Sequence, residues 1–490
     1  MKLSRLAGEV GMDAGPYGDR TVTGFAIDHR KVAPGTVFGA FPGARVNGED
    51  FIGAAVAGGA VAVVARPGAS VAGAAHLADP LPRRAFARLA AQFFRPVPET
   101  IVAVTGTNGK TSTVEMARQL WRLSGQRAAS IGTLGVTTPD ESLSTGLTTP
   151  DIVTFLSTMA GLAREGVTHV AYEASSHGLA QYRNDGLPVA AGAFTNLSRD
   201  HLDYHAGMED YFAAKMRLFT EGVAPGGTAV IWTDDDPWSE RAVAAARGAG
   251  LQIFGVGEKG EGIRLLGRRA SQLGQDLSLA HGGREYRVRL PLIGAYQAAN
   301  ALVAAGLVLA TGGEAAELFD ALARLQPVRG RLERAAITAP GAPVYVDYAH
   351  TPDALAAAIA ALRPHLTGRL ITVFGAGGDR DPGKRAAMGA AVAQGSDVAI
   401  VTDDNPRGED PAAIRAAILA AAPGAREIGD RREAIGAAIA EAGAEDIVLI
   451  AGKGHEQGQI IGAGENQRIL PFDDVAAARD CAAELAGDKP

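Results

Sequence analysis

Cysteine is almost missing: in 490 residues only Cys481 carries a thiol. One cysteine can close neither an internal disulfide nor a cysteine-based zinc site, and a reducing cytoplasm is the expected home of such a chain. A long apolar run is missing too. The nearest, "GAAVAGGAVAVVA" at Gly53–Ala65, is shorter than about 18 residues and broken by glycines. It reads as helix, turn and strand, so no membrane span is expected. The opening "MKLSRLAGEV" has no apolar segment leading to a small-residue cleavage site, so no signal peptide is expected. Nor is there a basic excess: 47 Lys and Arg face 54 Asp and Glu, for a formal net charge of −7, which leaves no footprint for nucleic acid. Fixed-period repeats and low-complexity tails are also absent.

What remains is the composition of a globular protein. Apolar residues make up 47% and charged residues 21%, and at about 100–200 residues per domain the length suggests three domains. Residues 1–99 read as short strands and turns with one or two helices, "TVTGFAIDHR" and "GTVFGAF" being the alternating runs. "PVPET" (Pro96–Thr100) is a two-proline linker. In 100–330, the strand candidates "IVAVTG", "HVAYEAS", "AAGAFTNL" and "TAVIWTD" are spaced by helical stretches, which implies βαβ units and a mainly parallel sheet. From 331 to 490 the pattern restarts with "PVYVDYAH", "RLITVFGAGGDR", "DVAIVTDDNPRG" and "DIVLIAGKGHEQ", each strand emptying into a polar loop. The expected fold class is α/β, with chemistry at the carboxyl ends of the strands.

"TGTNGKTST" supplies the first chemistry. Gly106, Thr107, Asn108, Gly109, Lys110, Thr111 and Ser112 follow a strand and open a helix, as a P-loop does. Glycines turn backbone N–H groups toward an anion, a lysine reaches the β- and γ-phosphates, and a threonine hydroxyl holds Mg²⁺. The spacing departs from the usual pattern in having Val104 where a glycine is common. A bare glycine turn with a solvated lysine is the alternative. Glu173 follows the strand in "YEASSHGL" and is either a Mg²⁺ ligand or a solvated strand-end charge. "TNLSRDHLDYH" packs Asp200, His201, Asp203 and His205 into six positions, as a metal site or as a charged loop. Nitrogen ligation by His201 would suit a second metal position, and Mn²⁺ tolerates it better than Mg²⁺ does. Lys215 lies in "YFAAKMRLF", whose apolar residues make one helical face, and by itself reads as a snorkelling surface lysine.

Together with "YEASSHGLAQYR", "DYAHTPDAL", "GGDRDPGKR", "TDDNPRGEDP" and "AGKGHEQGQ", these stretches resemble the Mur ligases, most closely the branch that adds diaminopimelate. The resemblance spans essentially the whole chain, strongest from Thr100 onward. It implies a UDP-binding N-terminal domain (1–99), a central ATPase (100–330) and a Rossmann-like C-terminal domain that binds the amino acid (331–490). It implies ATP and Mg²⁺ at two sites as cofactors. UDP-N-acetylmuramoyl-L-alanyl-D-glutamate and meso-diaminopimelate are the implied substrates, in a cytoplasmic monomer of the peptidoglycan pathway. It also implies that Lys215 is carbamylated and holds a metal with Thr111, Glu173 and His201, and that Lys110, Lys215 and His201 are catalytic. Asn300, Arg331 and Asp347 match nucleotide contacts. Thr148, Thr149, Ser175, Gln181 and Arg183 match contacts to the UDP-muramoyl dipeptide. Arg380, Asp404, Asn405, Pro406, Arg407, Gly452 and Glu456 match the diaminopimelate site. The first 99 residues depart from the pattern at Asp28-His29-Arg30, where relatives usually carry a serine in the middle.

The implied reaction activates the D-glutamyl γ-carboxylate as an acyl phosphate, which the incoming amine then attacks. Lys110 and the metal ions offset the repulsion between the two anions. Closure of the C-terminal domain is expected to shield the acyl phosphate from water. Within the superfamily the rivals are a folylpolyglutamate synthetase or another Mur ligase, against which "DNPR" and "SSHGL" argue. Outside it, the rival is a regulatory ATP switch, which would leave the acidic loop and Lys215 idle.

Overall fold

The computed structural model describes residues 1–43, 46–143, 149–202, 204–235, 237–379 and 381–487. Thr148, Asp203 and Arg380, three of the candidate residues, lie outside the described residues. Cα packing divides the chain into two compact units. The first takes in the described residues of Met1–Ile263 and Val303–Ala315, and the second takes in Arg264–Leu302 and those from Ala316 onward.

The first unit opens with a four-stranded parallel sheet, β1 (Gly24–Ala26), β2 (Thr36–Gly39), β3 (Ala62–Ala65) and β4 (Ala75–Ala78), in sequential order. The expected helix, turn and strand at Gly53–Ala65 are present as a helix over Ile52–Ala57 followed by β3. Among the described residues of 1–99 there are three α-helices rather than one or two. The extra one, Leu3–Gly8, is six residues long, too short for a period to stand out. Helix Pro82–Phe93 buries Ala85, Phe86, Leu89 and Ala90, and Phe86 takes Phe25 and Phe41 edge-on at 5.3 and 5.4 Å. The same core continues through Ile101, Tyr172 and Phe194 into the next sheet.

That sheet holds the P-loop. Its strands are β5 (Thr100–Thr105), β6 (Ala128–Gly132), β7 (Gly135–Thr137), β8 (Ser142–Leu143), β9 (His169–Glu173), β10 (Val189–Phe194), β11 (Val223–Trp232) and β12 (Gln252–Gly257). Their order within the unit is β12-β11-β10-β5-β9-β6-β7-β8, parallel from β12 to β6. Burial on both faces explains why β5 and β10 read as continuous apolar runs rather than alternating ones. The order brings the carboxyl ends of β10, β5, β9 and β6 side by side.

The second unit contains an antiparallel meander that the sequence reading did not mark as strands: β13 (Ile263–Ser271), which enters this unit at Arg264, β14 (Gly274–His281) and β15 (Arg284–Leu290). β13 is exposed along most of its length and arginine-rich, so its apolar signal is weak. The main sheet runs β16 (Glu333–Ile337), β17 (Pro343–Asp347), β21 (Ile447–Ala451), β18 (Leu370–Phe374), β19 (Val398–Val401) and β20 (Arg426–Glu427). Only β16 is antiparallel to its neighbour. β18 shows how both faces are filled, with Leu370 and Phe374 in one core and Ile371 and Val373 in the other. A hairpin, β22 (Gly458–Ile461) and β23 (Arg468–Pro471), follows the sheet. No helix among the described residues is long and apolar enough to cross a membrane.

A fully buried ion pair ties this unit together. Arg431 meets Asp474 through Nε and Nη2, each at 2.7 Å, and also donates to the carbonyls of Ala451 and Asp403. Removing one partner leaves the other charge buried and unpaired. Arg431→Ala is therefore expected to destabilise the fold by about 3–5 kcal/mol in chemical denaturation. Arg432→Ala, next door but half-exposed and paired with Glu484, is expected to cost at most about 1 kcal/mol.

Candidate active site

The P-loop is braced by the loop that follows β10. Gly106 has φ +147°, and a Cβ there would collide with the Thr195 hydroxyl. Gly109, at φ +86°, caps the helix Lys110–Leu123, which points its N-terminus at the loop. The Thr107 and Asn108 amides donate to the Asn196 carbonyl and side-chain oxygen, both at 2.9 Å. Thr195 Oγ1 donates to the Asn108 carbonyl at 2.6 Å, and Ser198 N donates to Thr107 Oγ1 at 3.0 Å. Strand, loop and helix stand in P-loop order.

Two lysines meet at this loop. Lys110 Nζ donates to the Gly106 and Thr107 carbonyls at 3.0 and 2.7 Å. Lys215 Nζ donates to the same Gly106 carbonyl at 2.7 Å and lies 4.3 Å from the centre of the Tyr211 ring. Lys215 comes from the helix Met208–Arg217 and is only 1% exposed, which overturns the snorkelling reading drawn from the residues alone. Burial, followed by the charge of Lys110, holds its amine well below the usual lysine range.

Glu173 ends β9 and is buried. Its Oε1 accepts the Thr133 amide at 2.7 Å, its Oε2 the Thr133 hydroxyl at 3.3 Å, and Gly132 leaves the room it occupies. This excludes the solvated strand-end reading. The acidic loop is more dispersed. Asp200 and His201 are exposed and 3.5 Å apart, whereas buried His205 turns its Nδ1 to Asp210 at 3.2 Å. His201 adopts φ +53° and packs near His177 and Tyr211. Among the described residues no three His, Cys, Asp or Glu side chains gather to hold a metal ion. Mg²⁺ keeps several waters and binds through phosphates plus one or two protein oxygens, so Glu173 and the Thr111 hydroxyl are a donor set that fits it.

Thr149, Ser175, Gln181 and Arg183 form one connected network. Thr149 Oγ1 donates to the Glu173 carbonyl at 3.1 Å and lies 2.9 Å from Ser175 Oγ. Arg183 donates to the Thr149 carbonyl at 3.0 Å and grips Gln181 Oε1 at 2.7 and 3.1 Å. Beside them lies a cavity of about 160 Å³, whose lining includes Ile27, Phe41, Arg83, Asp151, Gln181 and Arg183. Arg83 was missed in the sequence, where nothing sets it apart from Arg84. At the departing segment, Arg30 takes up the Asp28 carboxylate and holds it near a pKa of about 2, while the His29 ring stacks on Phe51 at 4.4 Å.

Within the second unit, Asn300 donates to Gln297, which donates to the Arg331 carbonyl at 2.8 Å. The buried Asp347 accepts the Leu332 and Ala349 amides at 2.8 and 2.9 Å; burial raises its carboxyl and Arg331 opposes that. Arg331 lies over Tyr348, against which His455 packs. Burial, with help from Arg331, pushes His455 down to about 4, so its imidazole is neutral at pH 7.

The "DNPR" loop has Asn405 at its centre. Its Nδ2 donates to Glu456 at 2.9 Å, and its Oδ1 accepts from Lys453 Nζ and Ile460 N, both at 2.9 Å. Lys453 is fully buried and also pairs with Asp404 at 3.3 Å. Gly452, at φ +123°, leaves room for Asp404, since a Cβ would lie 2.8 Å from its Oδ2. Arg407, following Pro406, sits at φ +51° and spends Nη1 on the Gly378 carbonyl at 2.9 Å.

Three family descriptions match the chain: Mur ligase family, catalytic domain, over residues 21–94; Mur ligase middle domain over 104–308; and Mur ligase, glutamate ligase domain, over 330–454. The chain belongs to the Mur ligase family. It is 60% identical to the UDP-N-acetylmuramoyl-L-alanyl-D-glutamate–2,6-diaminopimelate ligase of Zymomonas mobilis, over 98% of both chains. It is 52% identical to the enzyme of that name from Bradyrhizobium diazoefficiens, over 98% of this chain and 99% of that one. A solved structure of a UDP-N-acetylmuramoyl-L-alanyl-D-glutamate–2,6-diaminopimelate ligase superposes with a TM-score of 0.76 at 34% identity, covering 99% of each chain.

Lys110→Ala is expected to weaken binding of ATP by an order of magnitude or more in calorimetry while leaving the circular dichroism spectrum unchanged. The lysine lies part-buried at the loop, with its Nζ on the Gly106 and Thr107 carbonyls, and its removal opens no core cavity.

Proposed function

We infer that this chain is an ATP-dependent amide ligase of peptidoglycan synthesis. It joins meso-2,6-diaminopimelate to the D-glutamyl γ-carboxylate of UDP-N-acetylmuramoyl-L-alanyl-D-glutamate. The name its relatives share supports the substrates. For the chemistry, the supporting observation is the convergence of Lys110 and Lys215 on the Gly106 carbonyl. In the first step a γ-carboxylate oxygen attacks the γ-phosphorus of ATP, the bond to the β-bridging oxygen breaks, and ADP leaves. In the second the amine of diaminopimelate attacks the acyl carbon, phosphate departs, and the amine proton passes to a base. Lys110 and the P-loop amides stabilise charge on the phosphoryl oxygens.

We assign Thr111, Glu173, His201 and a carbamylated Lys215 to metal binding. Mg²⁺, when bound, supplies charge neutralisation between carboxylate and triphosphate. A free amine takes up CO₂ to give a carbamate and a proton, and the depressed Lys215 leaves that amine unprotonated at a lower pH than an ordinary lysine. Carbamylation replaces two crowded cations with a lysine–carbamate pair and supplies an oxygen ligand. His201, exposed and near Tyr211, is open to the second metal position or to the amine proton. Asn300, Arg331 and Asp347 are assigned to the nucleotide, and Thr149, Ser175, Gln181 and Arg183 to the UDP-muramoyl dipeptide. The Asp404–Arg407 loop with Gly452 and Glu456 is assigned to diaminopimelate. The labour divides at 1–99, 100–330 and 331–490, in a cytoplasmic monomer.

The experiment that tests the function is ADP release with both substrates present and with either omitted: a ligase turns over only with both, a regulatory switch without them. Lys215→Ala is expected to be nearly inactive in this assay and partly restored by millimolar formate or acetate, which occupy the vacated carbamate position. Full activity without rescue would exclude the carbamate.

Specificity has its own test. Diaminopimelate differs from lysine by one distal carboxylate, and Arg407 offers a planar fork for it. Losing a desolvated Arg–carboxylate pair costs about 2–5 kcal/mol, so Arg407→Ala is expected to lower kcat/KM for diaminopimelate by roughly 30- to several-thousand-fold and to affect lysine much less. An unchanged ratio between the two amino acids would assign the discrimination elsewhere.

A further inference from the structure

The cavity beside the Thr149–Arg183 network carries more positive charge than its own residues neutralise. Arg183 enters from one side, fixed by Gln181 and the Thr149 carbonyl. Arg83 enters from the other, from the first turn of helix Pro82–Phe93. Its Nη2 donates to the Pro42 carbonyl at 3.1 Å, and its guanidinium carbon lies 4.9 Å from the centre of the Phe41 ring. Both arginines are half-buried, and neither has a carboxylate within ion-pair distance among the described residues. Their neighbours do: Arg84 reaches Glu221 at 3.5 Å, and Arg217 reaches Asp185 and Glu221. Asp151 lines the cavity, but its carboxylate caps the next helix, accepting the Val153 and Thr154 amides at 3.0 and 3.1 Å and the Thr154 hydroxyl at 2.7 Å. Burial first, then the charge of Arg183, lowers Arg83 below the usual arginine range, the expected strain of two like charges facing one space.

We propose that Arg83 and Arg183 together seat the diphosphate of the UDP-linked substrate, Arg83 being a binding residue supplied by the N-terminal sheet and its helix. This rests on the substrate inferred above. Two planar guanidinium forks match the two adjoining phosphates of a diphosphate in charge and in geometry. The position agrees with the direction in which the substrate must lie. From Arg183 the network runs through Thr149 to Ser175 and Glu173, at the edge where the P-loop sits. The reacting γ-carboxylate belongs at that end and the nucleotide at the other, where Ile27 and Phe41 give the cavity an apolar wall.

The test is calorimetric titration of the full-length protein with UDP, UMP and UDP-N-acetylmuramoyl-L-alanyl-D-glutamate, for wild type, Arg83→Ala, Arg83→Lys and Arg84→Ala. Arg83→Ala is expected to weaken UDP binding about 30-fold or more and UMP binding less. It should raise KM for the full substrate by a similar factor while kcat at saturation stays within about twofold. Arg83→Lys, which keeps the charge and loses the fork, should fall between, and Arg84→Ala should match wild type. If Arg83→Ala is poorly folded, the Arg83→Lys titrations decide alone. UDP binding unchanged in the Arg83 variants overturns the proposal. A loss seen with the full substrate but not with UDP also overturns it, because the seat would then hold a peptide carboxylate. Wild-type protein that binds none of the three and ligates nothing would instead strike at the function itself.

Discussion

One carbonyl oxygen, that of Gly106, takes hydrogen bonds from both Lys110 and Lys215. Its surroundings keep two lysine amines close together at one oxygen. Gly106 must lack a side chain to sit against Thr195, the β10 loop must hold Thr107 and Asn108, and the helix of Lys215 must pack its apolar face inward. Such an arrangement is costly without an anion and favourable with one, which is what a polyphosphate site requires.

Strand order does the assembling. β10, β5, β9 and β6 are adjacent in space but far apart in sequence, so the acidic loop, the P-loop, Glu173 and Thr133 come out on one edge. In the second unit the same logic gathers Asp347, the Asp404–Arg407 loop and the Gly452–Glu456 loop at the ends of β17, β19 and β21. Buried Lys453 and Arg431 then lock these loops from beneath. In the function proposed above, selection of a dicarboxylic amino acid would draw on such rigidity, because a fork that could swing would accept a neutral side chain as readily.

The P-loop was legible because its chemistry is local: a β-branched strand, glycines, lysine and a hydroxyl all lie between Thr100 and Thr111. The principal strands were legible because burial on both faces leaves unbroken apolar runs. Lys215 was not legible from its own segment, since an amphipathic helix with one lysine fits either a snorkelling or a buried side chain, and only the packing of that helix beneath Gly106 distinguishes them. Arg83 and Arg84 are chemically identical neighbours, and what separates them is that one meets Glu221 and the other a cavity. The β13–β15 meander escaped notice because alternate exposure and many arginines dilute its apolar signal.

The concentration of chemistry on one edge leaves the opposite edge of the P-loop sheet unburdened. The turns before β6 and β12 pass through Gly125 and Gly250, both at positive φ with open space where a side chain would stand. No residue assigned to substrate or nucleotide lies there. A fluorophore, an affinity handle or a small inserted domain placed in either turn would report on this protein from behind, with the length of the strands between the label and the chemistry.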